Sequence, residues 1–129
     1  MLSRYTIYRR RPANAPPLPD GIRQDTRFRT KHILRPTQAI VDVYLSGPSN
    51  ESFGNFRDQY LELLAQRFES DQEAFDALAE LARQEDVYLG CSCPTKKNPN
   101  VRHCHTWLAL EFMTQKYPKL PIHFPLSGD

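Results

Sequence analysis

The sequence predicts a small, three-layer, Rossmann-like α/β domain with a mostly parallel sheet. Two apolar runs, residues 38–45 and 87–93, have the length and composition of buried strands. Apolar residues at helical spacing lie between these runs and again after the second one. The order of strand, two helices, strand and helix is typical of helices packed on a parallel sheet.

Length and composition indicate one domain without a membrane span or a secretion signal. The chain has 129 residues, of which 40% are hydrophobic, and a net charge of +2. No apolar run approaches the roughly 20 residues of a membrane helix. Arginines interrupt the first residues, where a secretion signal would be apolar. Three cysteines cannot all pair within one chain, so a reducing, cytoplasmic location is expected.

Charge divides the chain into a basic, proline- and arginine-rich segment, residues 1–36, and an α/β domain, residues 37–129. The segment has nine Lys/Arg and two Asp/Glu residues, a net charge of +7, while the remainder has eight and thirteen, a net charge of −5. Tyr5–Tyr8 alternates like a short strand, whereas residues 23–35 are expected to form a loop or a short surface element. The segment either contacts nucleic acid or another anion, or folds back on its own acidic domain.

The first apolar run, Gln38–Leu45, is predicted to be a strand buried on both faces. Asp42 interrupts the run, and a buried aspartate needs a partner or a functional role. The turn-forming residues Ser46–Asn50 follow at the carboxyl end of this strand, where ligands bind in open parallel sheets. Asp42 and Ser49 are therefore candidate ligand-binding residues.

Two amphipathic helices are predicted between the strands, and a third after them. Aromatic and leucine side chains recur at helical spacing across Phe53–Phe68, with charged residues on much of the opposite face. Ser70–Glu73 has the spacing of a capping box and marks a second helix, which ends near Gln84. The last helix is expected to continue to about Lys116, and the prolines of Pro121–Pro125 suit an edge strand.

The second strand, Val87–Cys93, carries the most distinctive residues of the chain. Cys91 and Cys93 point to the same face of this strand, and Cys104 and His105 follow a polar loop, near the start of the last helix. Helix starts favour anions, because free backbone N–H groups and a positive partial charge lie there. The remaining candidate residues add positive charge beside the sulfurs: Lys96, Lys97, Arg102 and His103.

Three chemistries fit these cysteines and histidines. In the first, Cys104 or Cys93 is a reactive thiol, and His103 or His105 is its base. In the second, three thiolates and one imidazole hold a metal, from Cys91, Cys93, Cys104 and His105. The spacing is not that of a zinc finger, so the cofactor is left open, with zinc as one alternative. In the third, small side chains and backbone amides hold a ligand, and the cysteines only pack as small hydrophobic residues. A separate reading is a redox sensor that pairs Cys93 with Cys104 in a disulfide.

The run Leu89-Gly-Cys-Ser-Cys-Pro94, followed by Cys104-His105 at a helix start, resembles two families of small bacterial and phage proteins of unknown function, numbered 488 and 4326. Upstream, Ile40–Ser49 and Phe56–Leu63 are similar to a strand and a helix of the first family. The resemblance covers about residues 39–113. It implies a Rossmann-like domain with a site at the Cys-x-Cys and Cys-His pairs.

The chain departs from the first family at one position. Many members have an arginine two residues after the strand aspartate, where this chain has Tyr44. If that arginine binds the family's ligand, Arg102 or Lys96 would take its place here. The family has no established reaction, so the resemblance implies a fold and a site position rather than an activity.

These observations lead to two hypotheses of different classes. The first is a cytoplasmic domain that binds a small anionic or nucleotide-like ligand at the cysteine-histidine pocket, with or without thiol chemistry, so that an enzymatic role is left open. The second is a non-enzymatic module that binds nucleic acid or a protein through residues 1–36, with structural or zinc-bound cysteines. The first hypothesis requires the sulfurs and the imidazoles to share one cavity.

Overall fold

The computed structural model describes residues 1–126, and its sheet and helices confirm the mixed α/β fold class. Within those residues the chain forms three strands, four α-helices and one short 3₁₀ helix. In chain order they are β1 (Leu2–Thr6), β2 (Ile22–Asp25), α1 (Gln38–Ser46), α2 (Asn50–Ser70), α3 (Gln72–Gln84), β3 (Val87–Cys91), the 3₁₀ helix (Val101–His103) and α4 (His105–Lys116). No helix in this part of the chain is both long and apolar enough to cross a membrane.

The three strands form one open parallel sheet in the order β1-β3-β2. Leu2 and Ile22 both pair with Val87, so β3 is central and its carboxyl end lies beside those of the other two strands. Both outer strands belong to residues 1–36, the segment distinguished above by its basic charge. Without that segment, β3 would have no strand partner among the described residues.

Neither outer strand agrees with the prediction. β1 begins at Leu2 rather than at Tyr5, and β2 overlaps residues 23–35, which were expected to form a loop or a surface element. The alternation of apolar residues did not indicate the start of β1, because Arg4 occupies a buried position between Leu2 and Thr6, where an apolar residue would be expected. Both strands are short, and a short strand with a charged inward residue has little hydrophobic alternation to detect.

Residues 38–45 form helix α1 and not the predicted buried strand. The side chain of Thr37 caps this helix by accepting a hydrogen bond from the backbone amide three residues on, at 3.4 Å. Tyr44 is buried whereas Val43 is 68% exposed, so the apolar residues of this run lie on different sides of a helix and are not all buried. A short continuous apolar run does not by itself distinguish the two. Asp42 consequently lies exposed on α1 and not inside a sheet.

The aromatic helix is α2, as predicted, but its ends differ from the prediction. Ser49 caps its start through reciprocal hydrogen bonds with Ser52. The capping box predicted at Ser70–Glu73 is wrong, because α2 continues through Ser70 and α3 starts without a side-chain cap. The fully buried side chains of α2 recur at helical spacing, and they are Phe56, Tyr60 and Leu64.

The helices pack on one another and on the sheet to form the core. Helix α4 contacts β1 and β3, α2 packs on α4, and α1 and α3 pack on α2. Helices α3 and α4 end at Gln84 and Lys116, as predicted. Beyond α4, the edge strand predicted at Pro121–Pro125 is reduced to a single parallel bridge between Leu2 and Ile122. The largest fully buried side chains include Arg4, Tyr60, Phe75, Leu2, Leu34 and Leu64.

Gly21 lies in the turn into β2, and we expect its replacement by alanine to destabilise the protein. Its φ of +145° is one that L-residues rarely adopt, and an added Cβ would lie 2.6 Å from the carbonyl oxygen of Asp86. In urea denaturation, Gly21→Ala should lower the free energy of unfolding by at least about 2 kcal/mol. Gly54→Ala, on α2 with open space around it, is the control and should raise it by about 0.5–1 kcal/mol. A similar response of both variants would contradict this role of Gly21.

Candidate functional site

The carboxyl ends of the parallel strands meet the start of α4 at one edge of the sheet. Cys91 ends β3, Thr26 follows β2, and Cys104 is the N-cap residue of α4. A cavity of about 180 Å³ lies at this edge. Its polar and sulfur-containing lining comprises Arg27, Cys91, Ser92, Cys93, Thr95, Asn98, His103, Cys104 and His105, and its apolar lining comprises Phe28, Pro36, Val41, Tyr44, Leu45 and Phe56.

The three cysteines lie together beside this cavity, and we refer to Cys91, Cys93 and Cys104 as the cysteine cluster. Their Sγ atoms are all within 4.8 Å of one another. Cys91 and Cys104 are buried, Cys93 is half-buried, and none of them forms a disulfide. The cluster therefore connects the end of the central strand to the start of the helix that packs on the sheet.

Each sulfur of the cysteine cluster has a polar neighbour outside the cluster. The contacts are Asn98 Nδ2 to Cys93 Sγ at 3.4 Å, Thr106 Oγ1 to Cys104 Sγ at 3.1 Å, and His105 Nδ1 to Cys91 Sγ at 3.5 Å. In the first two contacts the amide or hydroxyl group donates to sulfur. The direction of the third depends on which nitrogen of His105 carries the proton.

Thr26 holds the ring of His105 through Nε2, the nitrogen that does not contact the cluster. Nε2 lies 2.8 Å from Thr26 Oγ1 and 3.0 Å from the Thr26 carbonyl oxygen. The Thr26 hydroxyl donates to the Gly90 carbonyl at 3.0 Å, so both Thr26 oxygens accept from Nε2. The hydrogen-bond network thus assigns the proton to Nε2, and in the neutral ring Nδ1 accepts from the Cys91 thiol.

Arg4 extends from β1 toward the cluster and is only 1% exposed. Its Nε donates to Thr106 Oγ1 at 2.8 Å, and its Nη2 donates to the Cys93 carbonyl at 2.6 Å. Because arginine has only donors, Thr106 Oγ1 accepts from Arg4 and gives its own proton to Cys104 Sγ. From the sequence, Arg4 was expected only to contribute to the basic segment, so this position was not predicted. Its even spacing from Leu2, a core residue, is the signal that could have placed it on the inner face.

Asn98 connects the loop before α4 to helix α1 and to the cluster. This buried side chain accepts from the Tyr44 hydroxyl through Oδ1 at 2.8 Å and donates to the His103 carbonyl through Nδ2 at 3.1 Å. These two contacts determine which end of the amide is the donor, and that donor also contacts Cys93. No local sequence pattern distinguishes Asn98 from the polar loop around it.

Burial and mutual hydrogen bonding separate the pKa values of the three thiols. Hydrogen bonding with Cys104 is the main cause that raises the pKa of Cys91 to about 12, and it also raises the pKa of Cys93. Burial acts to raise the pKa of Cys104, but the hydrogen bonds of its sulfur outweigh burial and lower the pKa overall. Of the three thiols, Cys104 is therefore the one whose ionised form its surroundings favour.

The structure brings five of the predicted site residues together and leaves five outside. The cavity lining contains Cys91, Cys93, Cys104, His103 and His105. The residues outside that lining are all exposed, and they are Asp42, Ser49, Lys96, Lys97 and Arg102. The predicted contacts of Asp42 and Ser49 depended on a strand at residues 38–45, which is a helix. The loop does reach the sulfurs, but through Thr95 and Asn98, while its lysines and Arg102 are exposed.

Three of the ten predicted site residues, Ser49, Arg102 and His103, have contacts other than those predicted for them. Ser49 is the cap of α2, and the guanidinium of Arg102 lies 5.7 Å from the ring centre of Trp107. His103, which was predicted as a base, stacks on Phe53 with ring centres 4.0 Å apart, and burial lowers its pKa. His103 therefore contributes a flat surface to the cavity lining.

Arg27 supplies the cationic group of the cavity lining, a role that was not predicted from the sequence. It directly follows Thr26, and its position depends on β2, which was not predicted. Its Nε and Nη2 donate to the Asp25 carboxylate at 3.0 and 2.8 Å, and its Nη1 donates to Ser92 Oγ at 3.4 Å. Partial burial acts to raise the pKa of Asp25, but the hydrogen bonds from Arg27 lower it overall.

Comparisons with protein-family models, with curated proteins and with solved structures found no match for this chain. The resemblance to the two families of unknown function therefore stays a prediction. Any proposal about function depends on the geometry and chemistry of the cavity.

Proposed function

We propose that the domain binds a small anionic, nucleotide-like ligand in the cavity at the carboxyl edge of its sheet. One observation supports the proposal: the cysteine cluster, two histidines, Arg27 and several aromatic and aliphatic side chains all line the same cavity. Ligand pockets are commonly apolar with a few convergent polar groups. In open α/β sheets they lie beyond the carboxyl ends of the strands.

The size of the cavity limits how much of the ligand it encloses. An apolar cavity of about 150 Å³ binds benzene, and this one, at about 180 Å³, is only slightly larger. We therefore expect it to enclose a single ring, with the rest of the ligand extending toward solvent. Phe28, Tyr44 and Phe56 provide aromatic surface for that ring.

Arg27 is the group that would bind the negative charge of the ligand. Its side chain is 42% exposed, so its guanidinium is accessible from solvent. The contacts with Asp25 use two of its five N–H donors, which leaves donors for a phosphate or carboxylate. Because Asp25 already balances much of the charge, the contribution of Arg27 to affinity should be moderate.

Calorimetric titration with three matched probes tests the charge preference: inorganic phosphate, a nucleoside, and the corresponding nucleoside monophosphate. The monophosphate should bind more tightly than either of its parts. Arg27→Gln should weaken monophosphate binding by about tenfold, the equivalent of one hydrogen bond to a charged group, and should leave nucleoside binding unchanged. Arg23→Gln is the control, because Arg23 is exposed on β2, four residues before Arg27, and does not line the cavity.

Filling the cavity provides a second arm of the same experiment. Val41 lines the cavity, so Val41→Phe should prevent binding of the ring. Val43→Phe, on the exposed side of the same helix, should not. The proposal would be wrong if the two phenylalanine variants bound every probe with equal affinity. Failure of the native protein to bind any probe below about 1 mM would overturn it as well.

Other parts of the first hypothesis stay predictions. They are the nucleophilic role of Cys104, the role of His103 or His105 as its base, and the cytoplasmic location. Three cysteines without a disulfide are compatible with a reducing compartment. Ligand binding in the cavity requires none of these.

A further inference from the structure

We infer that the cysteine cluster is a binding site for one thiophilic divalent metal ion, Zn²⁺, held by three thiolates with its fourth coordination position facing the cavity. The inference concerns the sulfurs alone and does not depend on the proposed organic ligand. Thiolate ligands favour zinc and other soft ions over magnesium or calcium.

The spacing of the sulfurs suits a tetrahedral zinc ion. A Zn–S distance of about 2.3 Å with tetrahedral angles places ligand sulfurs about 3.8 Å apart. The Sγ atoms of the cluster are already within 4.8 Å of one another, so contraction by no more than about 1 Å is needed. Cys93 is half-buried and lies beyond the end of β3, so a small movement of its sulfur does not require a change in strand pairing.

The hydrogen-bond donors around the sulfurs are a second observation that points to metal-bound thiolates. Thiolate ligands of metals are commonly oriented by hydrogen bonds from surrounding side chains. Asn98 and Thr106 each donate to a different sulfur of the cluster. Their donors are oriented independently of the sulfurs, since Tyr44 determines the orientation of Asn98 and Arg4 that of Thr106.

Charge at the site is compatible with three thiolates around a divalent ion. When Zn²⁺ binds, three Zn–S bonds form and the thiol protons pass to solvent. Three thiolates and one divalent ion carry a net charge of −1. The positive charge of Arg4 lies beside this centre, and its Nη2 bonds directly to the Cys93 carbonyl. A nearby opposite charge reduces the cost of burying the charged centre.

We infer that His105 supports the site instead of ligating the metal, unlike in the four-ligand set predicted from the sequence. Its Nδ1 lies 3.5 Å from Cys91 Sγ, but His105 is absent from the group of residues whose ligand atoms all lie within 4.8 Å of one another. Only three protein ligands therefore converge. Three protein ligands and one exchangeable position are typical of zinc sites that act on a bound molecule, whereas structural sites have four protein ligands.

Competition against a chromophoric zinc chelator, on the reduced full-length protein without added organic ligand, tests this inference. We expect one Zn²⁺ per chain with nanomolar affinity, and one Cd²⁺ per chain with a sulfur-to-cadmium charge-transfer absorption. Cys93→Ser should weaken zinc binding by more than about 100-fold, since even the loss of a supporting residue costs about 10–100-fold. Ser92→Ala, at the adjacent cavity residue without sulfur, should bind zinc like the native protein.

His105→Gln distinguishes a supporting residue from a ligand. We expect it to retain one Zn²⁺ per chain with affinity lowered by less than about 100-fold. A loss as large as that of Cys93→Ser would overturn the open fourth position. Zinc binding by Cys93→Ser equal to that of the native protein, or no nanomolar binding by the native protein, would overturn the site itself.

Alkylation of the cysteines in the native protein tests zinc binding without any variant, and it applies if a variant does not fold. One equivalent of Zn²⁺ should slow the alkylation of all three cysteines, as followed by mass spectrometry, and a chelator should restore the original rate. Unchanged alkylation rates after zinc addition would refute the site. Since no nucleoside or phosphate is present, failure here leaves the proposed ligand binding intact, and failure of the calorimetric titrations leaves the metal site intact.

Discussion

Deleting residues 1–36 should abolish cooperative folding of the remaining chain. The deletion removes β1 and β2, so the central strand β3 loses both of its partners. It also removes Leu2 and Leu34, two fully buried side chains, and the Leu34 carbonyl that accepts from the buried Tyr60 hydroxyl at 2.6 Å. A single strand without partners cannot form a stable sheet. Circular dichroism and thermal unfolding of residues 37–129 should show no cooperative transition.

A matched control removes only the exposed loop of the same segment. Replacing residues 9–14, which are exposed and lie between β1 and β2, by a Gly/Ser linker of equal length should preserve the cooperative transition. If residues 37–129 alone unfolded cooperatively near the temperature of the full chain, the sheet described above would be wrong.

This result would also determine how the nucleic-acid alternative is tested. Truncation of the basic segment would abolish binding through unfolding, whatever the segment contacts. Arg9, Arg10 and Arg11 are exposed together on the loop after β1, whereas Arg4 and Arg27 bond within the fold. Nucleic-acid binding through this segment stays a prediction. Changing these three exposed arginines to glutamine, with salt dependence as the readout, would test it without removing a strand.

Replacing Arg4 by methionine should be the most destabilising single substitution considered for this protein. The flexible methionine side chain fills much of the same space but donates no hydrogen bonds. It would remove the 2.6 Å donor of the part-buried Cys93 carbonyl, which would keep only the Thr6 hydroxyl at 3.0 Å, and the 2.8 Å donor of the buried Thr106 Oγ1. Hydrogen bonds to charged groups contribute roughly 1.5–3 kcal/mol each, so we expect the free energy of unfolding to fall by about 3–5 kcal/mol in urea denaturation.

Two further variants determine why Arg4→Met lowers the free energy of unfolding. Arg9→Met, at an exposed position of the same segment, should change the free energy of unfolding by no more than about 0.5 kcal/mol. Arg4→Lys retains the charge but not the planar fork that reaches two acceptors, so it should be nearly as destabilising as Arg4→Met. A loss below about 1 kcal/mol for Arg4→Met would show that its contacts contribute little to stability.

Residues that are adjacent on the sheet edge but distant in the chain form the candidate site. Arg4 from β1, Thr26 from just beyond β2, Cys91 from β3 and Cys104 at the start of α4 meet because parallel strands place their carboxyl ends side by side. The cavity and the cysteine cluster occupy the same location, so a metal ion and an organic ligand would be adjacent. Zinc in such a position could interact directly with a bound anion.

The sequence by itself was sufficient for the fold class, for helices α2, α3 and α4, and for the central strand, although this strand ends at Cys91 and not at Cys93 as predicted. These features depend on side-chain periodicity over 5 to 21 residues and on short spacings such as Cys-x-Cys, which are local properties. The same local information assigned α1 to a strand, since a short and nearly continuous apolar run suits either structure until its neighbours are known.

Only the tertiary structure decided which polar residues surround the sulfurs. Arg4, Thr26, Arg27 and Asn98 are separated from Cys104 by up to 100 residues of chain, and no local pattern connects them to it. Hydrogen bonds and charges act over a few ångströms of space, whatever the separation along the chain. The parallel pairing of β1 and β2 with β3, which brings these residues within that range, is a long-range arrangement that periodicity does not encode.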